Sequence, residues 1–178
     1  MASFEFLAII LTGLGLTASI VYYTTVLQNA NKTQQMQLET RQAQLFMGFY
    51  TQWLNLDFYK EMTEVAITWE YKDFDDFMSK YWFNSNLEAG AKWGRASTYL
   101  EGIGVLMKRG LLDPSMMDDL SSGYIITMWE KYALFITEFR SRMNQPQFGE
   151  FFEYLYHEVK KSTIEDHPEL EEEAMKWK

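Results

Sequence analysis

The sequence predicts an all-α protein in which a single N-terminal transmembrane helix continues into a helical-bundle domain of about five to seven helices. Three observations carry this. Residues 4–27, FEFLAIILTGLGLTASIVYYTTVL, form an apolar run with one charge, Glu5, at its edge, and roughly 20 apolar residues span a hydrocarbon core of about 30 Å. Only three prolines and ten glycines punctuate 178 residues, too little for the many turns of a β fold. Beyond the run, apolar side chains recur at helical rather than alternating spacing. The organisation read from this is an anchor over residues 1–28, a helical stalk over 29–57, a bundle over 58–162 and an acidic tail over 163–178.

Composition narrows the chemistry. The chain has no cysteine, which excludes disulfides, thiolate catalysis and cysteine-based zinc or iron–sulfur sites. Its net charge of −9 argues against nucleic acid, whose phosphates need a clustered basic surface. A cleaved signal peptide would carry a basic segment before a shorter apolar core, and no Lys or Arg precedes this one. Lys32 and Arg41 follow it, so the positive-inside bias places the N-terminus outside and the C-terminal domain in the cytoplasm. Lipid is thus the expected partner of residues 4–27. Gly13, Gly15 and Ser19 bring small side chains to this span; they would admit a second helix closely, or they reflect the general abundance of glycine in membrane helices.

Taken in order, residues 28–44 are polar and Gln-rich with no helix stop, so the anchor helix should run on. Leu38, Leu45, Phe46, Phe49, Trp53 and Leu56 then form an apolar stripe that enters the core. Asn55 and Asp57 provide a turn and cap for a short segment carrying Phe58, Met62, Val65, Ala66 and Trp69. Asp73 caps a third, with Phe74, Phe77, Met78, Tyr81 and Trp82 on its apolar face. After a break at residues 84–86, a helix from about Leu87 to Arg109 carries Gly90, Gly94, Thr98 and Gly102 at i+4 spacing. Each interior glycine costs roughly 1 kcal/mol against alanine, so close approach of a helix or of the chain's own aromatics is expected there, with a ligand groove as the alternative. Gly102-Ile-Gly104 is no dinucleotide fingerprint, because no strand precedes it.

Lys108 and Arg109 suit a last helical turn and Gly110 a left-handed stop. Asp113 and Pro114 restart a helix to residue 121, and Ser121 to Gly123 mark a joint. Tyr124, Ile125, Met128, Trp129, Tyr132, Phe135, Ile136 and Phe139 define the next helix, to about Met143, and Phe148 to Lys161 another. The acidic residues from Glu165 onward read as a solvated or frayed end.

No catalytic pattern stands out. His157 follows Glu153 by four residues, whereas a di-iron bundle needs Glu-x-x-His twice; neither a nucleophile elbow nor a phosphate loop is present. No catalytic residue, cofactor or metal is therefore expected. The constellation that remains is ionic: Glu101, Lys108, Arg109, Asp113, Glu130 and Lys131. It reads as a partly buried ion network that sets how helices meet, or as the lining of a pocket.

The blocks YLEGIGVLMKRGLLD (99–113), Gly123 with MWEKY, and FFEYLYHE (151–158) resemble the pattern of an uncharacterised family of archaeal and bacterial proteins with an N-terminal anchor and an all-helical domain. The resemblance implies fold and topology and no activity. Function then divides two ways. One is a non-catalytic anchored protein acting by protein–protein interaction or self-association, for example an accessory subunit of a membrane complex such as an archaeal membrane-bound monooxygenase. The other is a tethered sensor or enzyme with a cleft lined by Glu101, Lys108 and Glu130.

Overall fold

The computed structural model describes residues 2–169. Among these residues there are no strands and six α-helices. Helix α1, Ala2–Trp53, is one helix of 52 residues. The chain divides into two compact units, one up to Arg41 and one from Gln42 onward.

In the first unit, the best 18-residue window of α1 has mean hydropathy 2.0 and none of it is buried by the chain. Its serine and threonine hydroxyls are nonetheless satisfied. Thr12, Thr17, Ser19, Thr24 and Thr25 each donate to the carbonyl four residues back, at 2.8–2.9 Å. These are all the Ser and Thr side chains of residues 4–27, so no aliphatic hydroxyl of this stretch is left without a partner, as a hydrocarbon environment requires.

The second unit opens with the end of α1, where Leu45, Phe46, Phe49 and Trp53 pack on the core. Asn55 caps α2, Leu56–Thr63, by accepting the N–H of Phe58. Instead of ending, the helix widens into a π-turn over Glu64–Thr68 before Trp69 turns extended. Asp73 caps α3, Phe74–Tyr81, and Asn86 caps α4, Leu87–Lys108. Helix α4 stops as its sequence requires: Gly110 has φ 69°, and Leu111 N–H reaches back to Leu106 O at 2.9 Å, which satisfies a terminal carbonyl.

The expected pair of helices after Pro114 is one element, α5, Pro114–Arg142, broken at Ser121 (φ −157°, ψ 23°). The joint is where Ser-Ser-Gly stands, but it bends a helix rather than separating two. Asn144, at φ 52°, closes α5. Helix α6, Glu150–Asp166, starts two residues later than expected and runs five further; it packs on both α4 and α5. Thr163 belongs to it and donates to Asp118 at 2.5 Å. The remainder of the expected acidic tail, residues 170–178, lies outside the described residues.

Aromatic rings dominate the core between α2 and α6. Phe77, Trp93, Tyr132 and Phe135 are 0–1% exposed, with Phe77 and Phe135 centroids 4.0 Å apart and Trp93 and Tyr132 4.5 Å apart. Each such ring contributes about 2–3 kcal/mol through burial alone. The small-residue ridge of α4 divides into two kinds of position. A Cβ on Gly90 or Gly94 would stand 2.7–2.9 Å from Phe83, so one of the chain's own aromatics occupies that space. Around Gly102 the space is open. The close helix–helix approach is instead at Gly104, where a Cβ would overlap the carbonyl of Phe151 on α6.

Candidate functional site

The six ionic residues singled out from sequence do not converge: Asp113 caps α5 by accepting the N–H of Ser115. No ion pair joins any two of Glu101, Lys108, Arg109, Glu130 and Lys131 among the described residues. Glu101 accepts the backbone N–H of Phe151 at 3.0 Å, and burial is the main cause pushing its carboxyl above the ordinary range. Lys108 lies 4.4 Å from the ring centre of Tyr154. Arg109 is the exposed C-cap of α4. Glu130 pairs with Lys160 at 3.0 Å and accepts from the Tyr156 hydroxyl at 3.3 Å. A cleft shared by Glu101, Lys108 and Glu130 is thus replaced by three separate contacts, each between helices already packed together. Gly13 and Gly15 have no neighbour from this chain beside them, and Ser19 bonds only within its helix.

Lys131 has a more specific role. Its ammonium donates to Ala66 O at 2.8 Å and to Val65 O at 3.5 Å, and the Tyr132 hydroxyl donates to Val65 O at 2.6 Å. Tyr71 completes the arrangement by donating to Lys131 O at 2.5 Å. A π-turn leaves carbonyls outside the ordinary helical ladder; here α5 supplies the donors. Burial lowers the pKa of Lys131 and raises that of Tyr71 to about 12. At the other end of the turn, Glu64 pairs with Lys92 at 2.8 Å, and that hydrogen bond holds its carboxyl below the ordinary range.

Beside this π-turn lies the largest of the described cavities, an open groove of about 1060 Å³. Ile67, Trp69, Tyr71, Phe74, Leu134 and Phe135 supply its apolar walls, and its charges balance: Glu70, Asp73 and Glu138 against Lys72, Lys80 and Lys131. Lys80 is already held by Asp76 at 2.8 Å and Lys131 by its carbonyls. The groove therefore offers little to a strongly charged ligand and much to apolar side chains. Ile67 is 70% and Leu134 83% exposed, leaving large aliphatic groups uncovered on either wall. Both were legible in sequence as residues off the apolar stripes of their own helices; Leu134 follows Tyr132 and precedes Phe135 without belonging to their face.

A second, smaller cavity lies between α4, α5 and the turn before α6, with Trp93, Glu101, Ile136, Gln147 and Phe152 in its wall. Neither Lys108 nor Glu130 reaches it.

Comparison with known proteins finds one family model, a domain of unknown function (DUF4760), matching residues 5–159. No curated protein and no solved structure matches the chain.

Proposed function

The chain belongs to the DUF4760 family, and we propose that it is a non-catalytic, single-pass membrane protein that acts by holding a helical interaction module at the bilayer. The observation that carries this reading is the N-terminal part of α1: apolar over a bilayer's length, with none of that window buried and every serine and threonine hydroxyl of residues 4–27 bonded within the helix. Lipid is the solvent for which such a helix is complete, and Gly13, Gly15 and Ser19 offer a face on which a second membrane helix can pack. The groove with exposed Ile67 and Leu134 supports the same reading for the domain, since apolar groups of that size in a charge-balanced groove suit a protein partner. An accessory subunit of a larger membrane enzyme complex is the specific form proposed, with the N-terminus outside and the domain in the cytoplasm by virtue of Lys32 and Arg41.

The test combines fractionation with native mass spectrometry in mild detergent. The full chain is expected in the carbonate-resistant membrane fraction and in an assembly heavier than one copy. Recovery from the soluble fraction would remove the anchor; a lone monomer from native membranes would remove the subunit role. Protease cleavage of the C-terminal region in intact cells would reverse the orientation.

A further inference from the structure

Between the π-turn and α3 the chain runs extended. Trp69 stands at φ −74°, ψ 129° and Asp73 at φ −154°, ψ −176°, and burial alternates as it does along a strand: Trp69 is buried, Glu70 exposed, Tyr71 half-buried and Lys72 exposed. Hydrogen bonding alternates as well. The Glu70 N–H donates to the Tyr81 hydroxyl at 3.2 Å, Glu70 O accepts from Lys80 at 3.2 Å, and the Lys72 N–H donates to the Asp76 carboxylate at 3.0 Å. Those partners all belong to α3, so one edge of the segment is taken. In an extended chain the main-chain groups of the intervening residues point to the opposite edge. They are the C=O of Trp69 and the N–H and C=O of Tyr71, and none of the three has a hydrogen-bond partner among the described residues.

That open edge borders the large groove, which every residue from Trp69 to Asp73 lines. Helix α3 covers Phe135 and Phe139 of α5 with Phe74 and Phe77. The groove's wall on α5 continues instead to Leu134, Glu138 and Ser141, spaced i, i+4, i+7 along the neighbouring face of that helix. The segment therefore separates α3 from the groove, and the edge turned away from α3 is the one turned to it. Unpaired main-chain groups at strand spacing are a template for another strand. A helix cannot satisfy them, because its own N–H and C=O groups are used internally.

We propose that the partner enters this groove as an extended, uncharged segment that adds as a strand along Trp69–Asp73, its main chain bonding Tyr71 and its apolar side chains covering Ile67 and Leu134. The inference rests on the reading of the groove as a protein-binding face and specifies the form the bound chain takes. Main-chain bonds supply affinity in this mode, and alternate side chains supply specificity. The balance of charge around the groove favours an uncharged segment. Another protein is the donor, since this chain contains no strand among the described residues.

The probes are capped heptapeptides alternating threonine with valine, leucine, isoleucine or phenylalanine, titrated into the full-length protein in mild detergent and read by hydrogen exchange at residues 69–73. At least one should bind saturably and slow exchange of the Tyr71 amide about tenfold or more. The same peptide N-methylated at alternate residues, which blocks one edge, should give no protection. Replacing Tyr71 by its α-hydroxy acid turns the N–H into an ester oxygen and keeps the side chain; it should weaken binding about tenfold. Should that variant not fold, the N-methylated peptide decides alone. Four results would overturn strand addition: no protection by any peptide at millimolar concentration, equal protection by the N-methylated form, protection only by a helical peptide of the same composition, or protection that grows with protein concentration alone, which would mean that two copies pair edge to edge. Peptide binding lost in Leu134→Glu but retained in the Tyr71 ester would also overturn it, while leaving the groove as the partner site.

Discussion

The carboxylate of Glu101 on α4 accepts the backbone N–H of Phe151 at 3.0 Å, capping a helix that has no cap of its own. Gly149, the N-cap residue of α6, sits at φ 72° and offers no side chain. A donor at the start of a helix needs an acceptor from somewhere, and here another helix provides it, so the bond both ends α6's unmet donors and sets its register on α4. Glu101→Ala should lower stability by about 1–2 kcal/mol, measured by chemical unfolding in detergent; a change below 0.3 kcal/mol would deny the capping role.

Burial of the same carboxyl makes a pH prediction. Burial raises the Glu101 pKa above its ordinary 4.5, so the folded state favours the protonated form. The stabilisation that this raised pKa provides is complete below the ordinary value and is lost as pH rises through the folded one. Glu101→Gln keeps an oxygen acceptor without the charge. Its stability relative to wild type should therefore improve on going from about pH 4 to about pH 7, read from thermal melts across that range. A difference that is flat or moves the other way would show that the carboxylate is not charged at a cost.

Glycine substitutions on α4 should separate a packed position from an open one. Gly104→Ala places a methyl into the Phe151 carbonyl and should destabilise by about 1–3 kcal/mol or prevent folding. Gly102→Ala meets nothing within 4 Å and should be neutral or stabilise by up to about 1 kcal/mol. Equal losses at both positions would mean that α4 and α6 do not approach as described.

Tyr132→Phe removes the buried hydroxyl that bonds Val65 O at 2.6 Å. It should lower stability by about 1–2 kcal/mol because a carbonyl of the π-turn loses its closest donor. Hydrogen exchange should show the loss first in residues 64–68, before α6 is affected; uniform weakening of the whole domain would argue that the π-turn has no local dependence on α5.

Leu134→Glu should leave stability within about 0.5 kcal/mol of wild type, as expected of a side chain with few neighbours, while weakening whatever assembly the protein forms in native membranes. Co-purification and melting curves measured together distinguish a binding face from a merely tolerant surface. An unchanged assembly would remove the groove from the interaction.

Periodicity, caps and breakers alone determined the helical class and the main joints. Asn55, Asp73, Asn86, Asp113 and Gly110 act locally, on backbone groups within a few residues of themselves, so their effects are legible without knowing the fold. The apolar span of α1 is legible for the same reason: its hydropathy and its i−4 hydroxyl bonds involve no distant residue. What only the tertiary structure decided is where charges and small residues separated by more than forty positions meet. Glu101 reads as one member of an ionic cluster until α6 presents Phe151 to it; Gly104 reads as part of a rejected motif until the Phe151 backbone is seen against it. The π-turn is likewise invisible in residues 64–68 themselves, because its carbonyls are held by Lys131 and Tyr132, more than sixty residues away. Local sequence sets backbone conformation through short-range hydrogen bonds and sterics; the partners that give buried polar groups their role are chosen by packing, which a single strand of letters does not order.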